Sequence, residues 1–481
     1  ILERLPKSGE IARVEIAGPG FINFFLTPSW LYEAIVEIAT KREEFGRSEV
    51  GKGTKIQVEY GSANPTGPIH VGNARNIVYG DALASLLEAV GYTAERENYI
   101  NDMGGQMERF TLSLEARYLQ ALGLRGEVPE DGYQGEYLID LGKQLALEEG
   151  MGFVDNREAI RKWGLGKVIE AQERTLERLR VVYDHWMFES SLHESGKIEA
   201  AIQRLREGGH VYEQDGAVWF RATSFGHTQD RVIVKSLEKG GTPTYLAADT
   251  AYLLDKLERG FDHLIYFWGA DHHGTVENLM SVARALGVDD YVEVLLYQWV
   301  NFTGGVMGRR HGTFITLDEL VDEVGVDAAR YTFLTRSPEA AMVFDFDLVK
   351  SQSQENPVYY VQYAHARIRS LIRYGEEKGI ELGRVEEAEL SLLTHESEHE
   401  LVRKLSEFPQ MLEVASRLRA PYRLTAYAQD LAALFHYFYR DCRVIGDDPK
   451  LTKARLWLSE VTREVIANTL TILGVRAPER M

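Results

Sequence analysis

Cysteine is almost missing from this chain: 481 residues contain one, Cys442. That excludes an internal disulfide framework and a cysteine-based structural zinc site, and it favours a reducing compartment. No run approaches the roughly 18 apolar residues of a membrane span. No charged-then-apolar signal segment opens the chain. A cytoplasmic protein without a membrane partner is therefore expected. An initiator methionine is also lacking; the chain opens on Ile1, so further residues upstream are expected. Positive charge is scarce, with 54 Lys/Arg against 73 Asp/Glu and a net charge of −19. Taken alone, that argues against a polyanionic partner. The deficit is uneven, however. From Ser351 onward 18 Lys/Arg face 19 Asp/Glu, whereas the first 350 residues hold 36 against 54. Contact with nucleic acid is therefore easiest through the final third.

What is present is ordinary for a globular chain: 44% hydrophobic and 26% charged residues, over a length that calls for two or three domains. Residues 1–45 read as the end of a small α/β element. Residues 13–27 are strand-like and interrupted at Pro19-Gly20, and 30–41 have helical spacing. A polar, glycine-bearing stretch at 42–54 reads as a linker. Residues 55–61 then form a strand and 62–69 a Pro/Gly loop. A helix follows to about Val90, with Ile77, Leu83, Leu86, Leu87 and Val90 on one face, then another strand to Ile100. This is the repeating unit of an α/β doubly wound parallel sheet. A charged, mostly helical insertion at about 103–215 interrupts it. Strands at 217–221 and 231–234 resume the pattern, followed by helix 246–259, strand 263–268, helix 276–286 and strand 292–300. The catalytic part is expected to span 46–349, and 350–481 to form an all-α bundle.

Three motifs stand at strand ends, where doubly wound sheets bind ligands. The first is 64–73 (NPTGPIHVGN), which opens a helix whose N-terminus favours phosphate. Gly72 lets a nucleotide approach the backbone, and His70 can donate to phosphate oxygens. The alternative is a Pro/Gly turn with a helix-capping histidine. The second is the basic, glycine-flanked loop 305–312 (GVMGRRHG), which is either a phosphate clamp or a solvated turn. The third is 268–274 (WGADHHG). Its Asp-His-His suggests a metal site, but adjacent histidines rarely point the same way and no third ligand has helical spacing. Gly269 and Asp271 near a nucleotide, with His272 facing a second substrate, is the preferred reading.

The first motif resembles the HIGH signature of class I aminoacyl-tRNA synthetases, with Asn73 in place of the second histidine. The second stands where that family has its KMSKS loop. Met307 matches, and Arg309 occupies the position of the essential lysine. Around these, the runs 59–65 (EYGSANP), 245–252 (YLAADTAY), 355–367 (ENPVYYVQYAHAR) and 473–481 (LGVRAPERM) resemble arginyl-tRNA synthetases over nearly the whole chain. The resemblance implies a Rossmann-like catalytic domain, a remnant of an N-terminal tRNA-binding domain at 1–45, and an anticodon-binding bundle. It also implies two-step charging of tRNA(Arg) with L-arginine, using ATP and Mg²⁺ and passing first through the terminal 2′-hydroxyl.

For the sites, the resemblance implies Glu59 and Asp249, with Tyr245 alongside, around the arginine guanidinium. Ser62, Asn64 and His272 hold its α-amino and carboxylate groups. Gly67, His70, Gly72, Asn73, Gly269, Asp271, Val306 and Met307 surround ATP, with His70, Asn73 and Arg309 catalytic. A guanidinium does need planar carboxylates in a dry pocket, and analogues without it leave those acceptors unpaired. In the bundle, Tyr359 and Arg367 belong to a helix that interleaves aromatic and basic residues, a pattern suited to stacking bases and reaching phosphates. Tyr360 and Val361 are expected in the bundle core. Tyr422 and Met481 are placed near the anticodon loop by resemblance. A monomer is expected. Two rivals stay open: a class I synthetase for glutamine or cysteine, and an inactive paralogue that only binds RNA, suggested by Asn73 and Arg309.

Overall fold

The structure, a computed structural model, describes residues 11–270, 273–304 and 315–481. It opens on an antiparallel hairpin, β1 (Ile11–Ala17) and β2 (Phe21–Leu26), with the turn at Pro19-Gly20. Helix α1 (Ser29–Lys41) follows. The sequence grouped α1 with the hairpin, but Leu31, Ile35 and Ile38 belong to a core shared with helices near the chain's other end. Its spacing of apolar residues marks a buried face; it cannot say which distant element covers that face.

The central sheet starts with β3 (Lys55–Glu59). Helix α2 (Ala74–Ala89) crosses to β4 (Thr93–Ile100), which pairs parallel with β3. Only Lys55 of β3 is exposed, so the strand lies at the centre of the sheet. Ile56 and Val58 face α2, while Gln57 and Glu59 take the other face, as a period of two requires. Helix α2 is buried on nearly every side, not along one stripe, because the sheet, α11 and the C-terminal bundle all pack on it.

Helices α3 (Gly104–Ala121), α4 (Glu136–Glu149) and α5 (Arg157–Arg178) form the expected insertion around a core of their own that includes Phe110, Leu114, Leu138 and Ile160. The region is not helical throughout. Strand β5 (His185–Phe188) pairs parallel with β4 and widens the main sheet. Four residues are too few for a readable periodicity. After α6 (Glu189–Glu194) and α7 (Lys197–Glu207) come β6 (Val211–Gln214), β7 (Ala217–Phe220) and β8 (Arg231–Val234). The last two were expected in the main sheet; they form a separate antiparallel sheet with β6. Their short connections suit hairpins, not parallel crossovers.

Helix α8 (Tyr245–Glu258) leads into β9 (His263–Gly269), and α9 (His273–Leu286) into β10 (Val292–Tyr297). The main sheet is parallel throughout in the order β10-β9-β3-β4-β5. Its order reverses between β3 and β9, which leaves a crevice at their carboxyl ends. The expected strand 292–300 breaks after Tyr297. The Gln298 N–H donates to Pro338 O at 2.9 Å, and the Gln298 carbonyl accepts from buried Arg75 at 2.9 Å. Strand β11 (Val300–Thr303) therefore leaves the sheet. After α10 (Leu317–Val324) and α11 (Val326–Phe333), β11 pairs with β12 (Met342–Asp345), which runs into α12 (Phe346–Lys350).

The remainder is helical: α13 (Pro357–Glu377), α14 (Glu396–Ser406), α15 (Phe408–Arg417), α16 (Tyr422–Asp441) and α17 (Pro449–Ile472). One apolar core runs from Leu31 through the sheet and α2 to Val475. A buried ion pair crosses it, Arg330 of α11 with Asp81 of α2. Arg330 also donates to the carbonyls of Leu473 (3.0 Å) and Leu179 (2.9 Å). Gly474 lies against this guanidinium with φ +67°, and a Cβ there would stand 2.2 Å from an Arg330 nitrogen. The tail therefore takes only glycine at that point.

Candidate active site

A cavity of about 970 Å³, its open mouth included, lies at the carboxyl ends of β3, β4 and β9. Glu59, Ser62, Asn64, Asn73, Asp249 and Gly269 line it. These six expected residues come from four separate segments, and the topology brings them to one place. The same wall holds Tyr99, Tyr252, Tyr266 and Asn76, none of which the sequence singled out. Asn76 accepts the Gly61 N–H at 2.7 Å and donates to the Phe267 carbonyl at 3.0 Å, so it ties the ends of β3 and β9 together. Asn98 accepts the Ser62 N–H at 2.9 Å and holds that residue at φ +44°. The Ser62 hydroxyl is buried with no partner among the described residues.

The Pro/Gly loop is shaped from outside the sheet. Tyr137 of α4 donates to the Thr66 carbonyl at 2.6 Å. The Gln172 amide of α5 donates to the carbonyls of Asn64 (3.1 Å) and Gly67 (2.9 Å). A Cβ at Gly67 would meet the Tyr137 ring at 2.9 Å. Gly67 therefore faces the insertion and does not line the cavity; its small size admits the Tyr137 ring. His70 is exposed beside the start of α2, and its Nδ1 accepts the Gly72 N–H at 2.9 Å. Partial burial pushes its pKa below the ordinary histidine value. Neither His70 nor Gly72 lines the cavity, whereas Asn73, at the N-cap of α2, does.

Helix α8 presents Tyr245, Asp249, Tyr252 and Lys256 along one stripe, spaced by three and four residues. Tyr245, at its first turn, is 73% exposed and does not line the cavity. Its expected place beside the two carboxylates is therefore not the one it occupies. Asp249 faces the cavity. Burial, followed by the nearby Glu189 and Glu59 carboxylates, pushes its pKa up to about 7, while Lys256 opposes them. Glu59 is buried and its Oε2 meets the Lys256 ammonium at 2.5 Å. Burial also raises the Glu189 pKa, partly offset by a hydrogen bond from Tyr99. Buried Asp249 thus faces two carboxylates and one ammonium, which leaves it short of positive charge. The arrangement suits a cationic ligand with several donors.

Asp271, His272, Val306, Met307 and Arg309 lie outside the described residues. Among the described residues no group of three or more His, Cys, Asp or Glu could hold a metal ion. In the bundle, Tyr359 is half-buried and stacks on Tyr363, with centroids 6.1 Å apart and an interplanar angle of 10°. The Arg367 guanidinium lies 4.2 Å over the Tyr439 ring. Tyr422 packs partly buried against the core, Met481 is 56% exposed, Val361 is buried and Tyr360 is half-buried. Arg369 bonds Glu479 and so holds the tail.

Residues 35–128 and 146–349 match the family described as tRNA synthetases class I (R), catalytic domain. Residues 361–481 match the DALR anticodon binding domain, and 1–26 the arginyl tRNA synthetase N terminal domain. An arginine–tRNA ligase of Moorella thermoacetica is 49% identical over 490 residues, covering 100% of this chain and 87% of its own. The crystal structure of a putative arginyl tRNA synthetase from Campylobacter jejuni is 32% identical with a TM-score of 0.87, covering 95% of this chain and 100% of its own. The arginyl-tRNA synthetase of Thermus thermophilus shares the fold, with a TM-score of 0.77 at 23% identity over 100% of this chain and 90% of its own.

Proposed function

Since this chain belongs to the class I arginyl-tRNA synthetases, it activates L-arginine with ATP and transfers it to tRNA(Arg), and we propose how its cavity divides that work. Asp249 and Glu59 take the guanidinium. Ser62 and Asn64, with His272, hold the α-amino and carboxylate groups. Asn73, Gly72, Gly269, Asp271, Val306 and Met307 surround ATP. The observation that carries this reading is Asp249, a cavity-facing carboxylate whose neighbours resist its ionisation. A bound guanidinium supplies the missing positive charge.

In the first step an arginine carboxylate oxygen bonds to the α-phosphorus as the bond to the β-phosphate oxygen breaks, releasing pyrophosphate. In the second the terminal 2′-hydroxyl attacks the acyl carbon and AMP leaves. His70, Asn73 and Arg309 position the phosphates and donate to their growing charge. Mg²⁺ supplies further neutralisation when bound, held mainly by the phosphates. The proposal includes a monomer working in the cytoplasm, where Cys442 stays reduced. Tyr359, Arg367, Tyr422 and Met481 meet the anticodon arm, supported by the stacked Tyr359 and Tyr363 of α13 and by Arg367 over the Tyr439 ring of α16.

The test is ATP–pyrophosphate exchange with each amino acid, with and without tRNA. Asp249→Asn should raise the KM for arginine about 100-fold, since a buried charge loses its partner, with the KM for ATP nearly constant. An unchanged KM for arginine would remove Asp249 from the pocket.

A further inference from the structure

Lys256 stands on α8 two turns beyond Asp249, and its side chain is completely buried. Its ammonium meets Glu59 Oε2 at 2.5 Å and lies over the rings of Tyr252 (4.1 Å) and Tyr266 (3.8 Å). Burial pushes its pKa down, while Glu59 and Glu97 pull it back up. Packing does not explain a lysine here. An apolar chain of similar length would fill the gap between two rings at lower cost than a dry charge. What the cation changes is Glu59, and Glu59 lines the cavity.

We propose that Lys256 is a positioning and specificity residue for the amino-acid side chain. It holds one oxygen of Glu59 from behind, leaves the other for a planar guanidinium shared with Asp249, and occupies the ammonium position itself. This rests on the reading of Glu59 and Asp249 given above. A substrate ammonium is a compact, strongly hydrated charge with three donors, and it needs several acceptors once dried. With Glu59 half engaged and a like charge behind it, such a group finds too few. A guanidinium spreads its charge and offers parallel N–H donors to two carboxylates. Lysine and ornithine are thus refused by a cation already built into the wall.

The charge balance gives a second signature. Asp249 is faced by Glu59 of β3, Tyr99 of β4, Glu189 of α6, Tyr266 of β9 and Lys256 of its own helix. Lys256 is the cation of that set. Removing it makes Asp249 harder to ionise, so arginine use should fail at a higher pH.

The experiment is exchange kinetics on the full chain with tRNA present, using Glu59→Gln, Lys256→Met, Lys256→Arg and the double variant Glu59→Gln/Lys256→Met. Lys256→Met should raise the arginine KM about tenfold and lower the arginine-to-lysine preference about tenfold, with the ATP KM within about twofold. Its acid limb for arginine kcat/KM should move to higher pH, and Lys256→Arg should recover most of the loss. The double variant removes the Glu59–Lys256 ion pair as a unit, so neither partner is left buried without the other, which guards against misfolding. Its arginine loss should not exceed that of Glu59→Gln, because Lys256 acts through Glu59. Losses that multiply, or arginine and ATP constants that rise together, would overturn the proposal. If Glu59→Gln is harmless, the reading of Glu59 fails and the proposal with it. If Glu59→Gln is harmful but Lys256→Met is not, the proposal alone fails.

Discussion

Along α17 the buried hydroxyls of Ser459, Thr462 and Thr469 donate to carbonyls one turn back, at 2.8, 2.8 and 2.7 Å. Around the cavity, Ser62 and Tyr266 bury hydroxyls that find no partner among the described residues. Within α13–α17 the one buried side-chain atom of that kind, among the described residues, is Nε2 of His436. The bundle satisfies its polar atoms locally and binds its helices through apolar contact. The sheet's carboxyl edge holds hydroxyls unpaired among the described residues, which a bound ligand can satisfy. Since an unpaired buried group costs about 1–3 kcal/mol, stability resides mainly in one region and substrate recognition in the other.

The largest effect should come from separating the two regions. The core is continuous across residue 350, and Tyr79 and Tyr331 donate to the carbonyls of Arg419 (2.8 Å) and Thr425 (2.9 Å). A chain ending at Lys350 should therefore show no cooperative urea transition by circular dichroism. A cooperative transition with native-like helix and sheet signals would show that the catalytic part is independent. Next comes the buried pair: Arg330→Met leaves Asp81 only its longer contact to Arg96 (3.4 Å) and frees the Leu473 and Leu179 carbonyls, and should cost about 3 kcal/mol in urea unfolding. A loss below about 1 kcal/mol would mean that water reaches the site.

Acidification should separate the regions by sign. His436, buried and near Arg367, has its pKa lowered to about 4. Its unfolded value is higher, so the bundle loses stability as pH falls from about 6.5 toward 4. Asp249 behaves oppositely: with a folded value of about 7, its contribution is full below the unfolded value and is lost as pH rises through 7. Melting temperatures from pH 4 to 7 should rise for His436→Phe, relative to wild type, at the acid end. Those of Asp249→Asn should rise at the neutral end. Parallel curves for all three proteins would contradict both assignments. The smallest change is Tyr137→Phe, which removes one hydrogen bond to the Thr66 carbonyl. It should cost about 1 kcal/mol of stability and raise the KM for ATP more than that for arginine. Equal constants would show that the insertion does not shape the loop.

Much of the site was readable because it follows chain-local rules. The strand–loop–helix unit from Lys55 to Ala89 announces itself by apolar period and Pro/Gly spacing, and Glu59, Ser62, Asn64 and Asn73 are carried by it. Asp249 was found through the 245–252 run. Lys256 went unread, although Tyr245, Asp249, Tyr252 and Lys256 share a helical stripe, because a lysine beside expected carboxylates reads as a solvated face. The packing of Gly67 on the insertion is hidden for a related reason: the tyrosine that fills its space is 70 positions away in sequence. Asn76 and Asn98 act by bonding backbone groups of other segments, which no local pattern reveals. The breaks in the sheet at Gln298 and the short β5 depend on Arg75 and on pairing partners, so tertiary contacts decided them.

The docking of α1 has a consequence for how the chain is made. Tyr32, on that helix, bonds the carbonyl of Leu393, 361 residues later. At ribosomal speeds of about 5–20 residues per second, α1 waits roughly 20–70 s for the helices that will cover Leu31, Ile35 and Ile38. During that interval its apolar face is a natural ligand for a holdase chaperone. Slowing translation between α1 and α14 should therefore increase chaperone dependence and aggregation of newborn chains, without altering the finished enzyme.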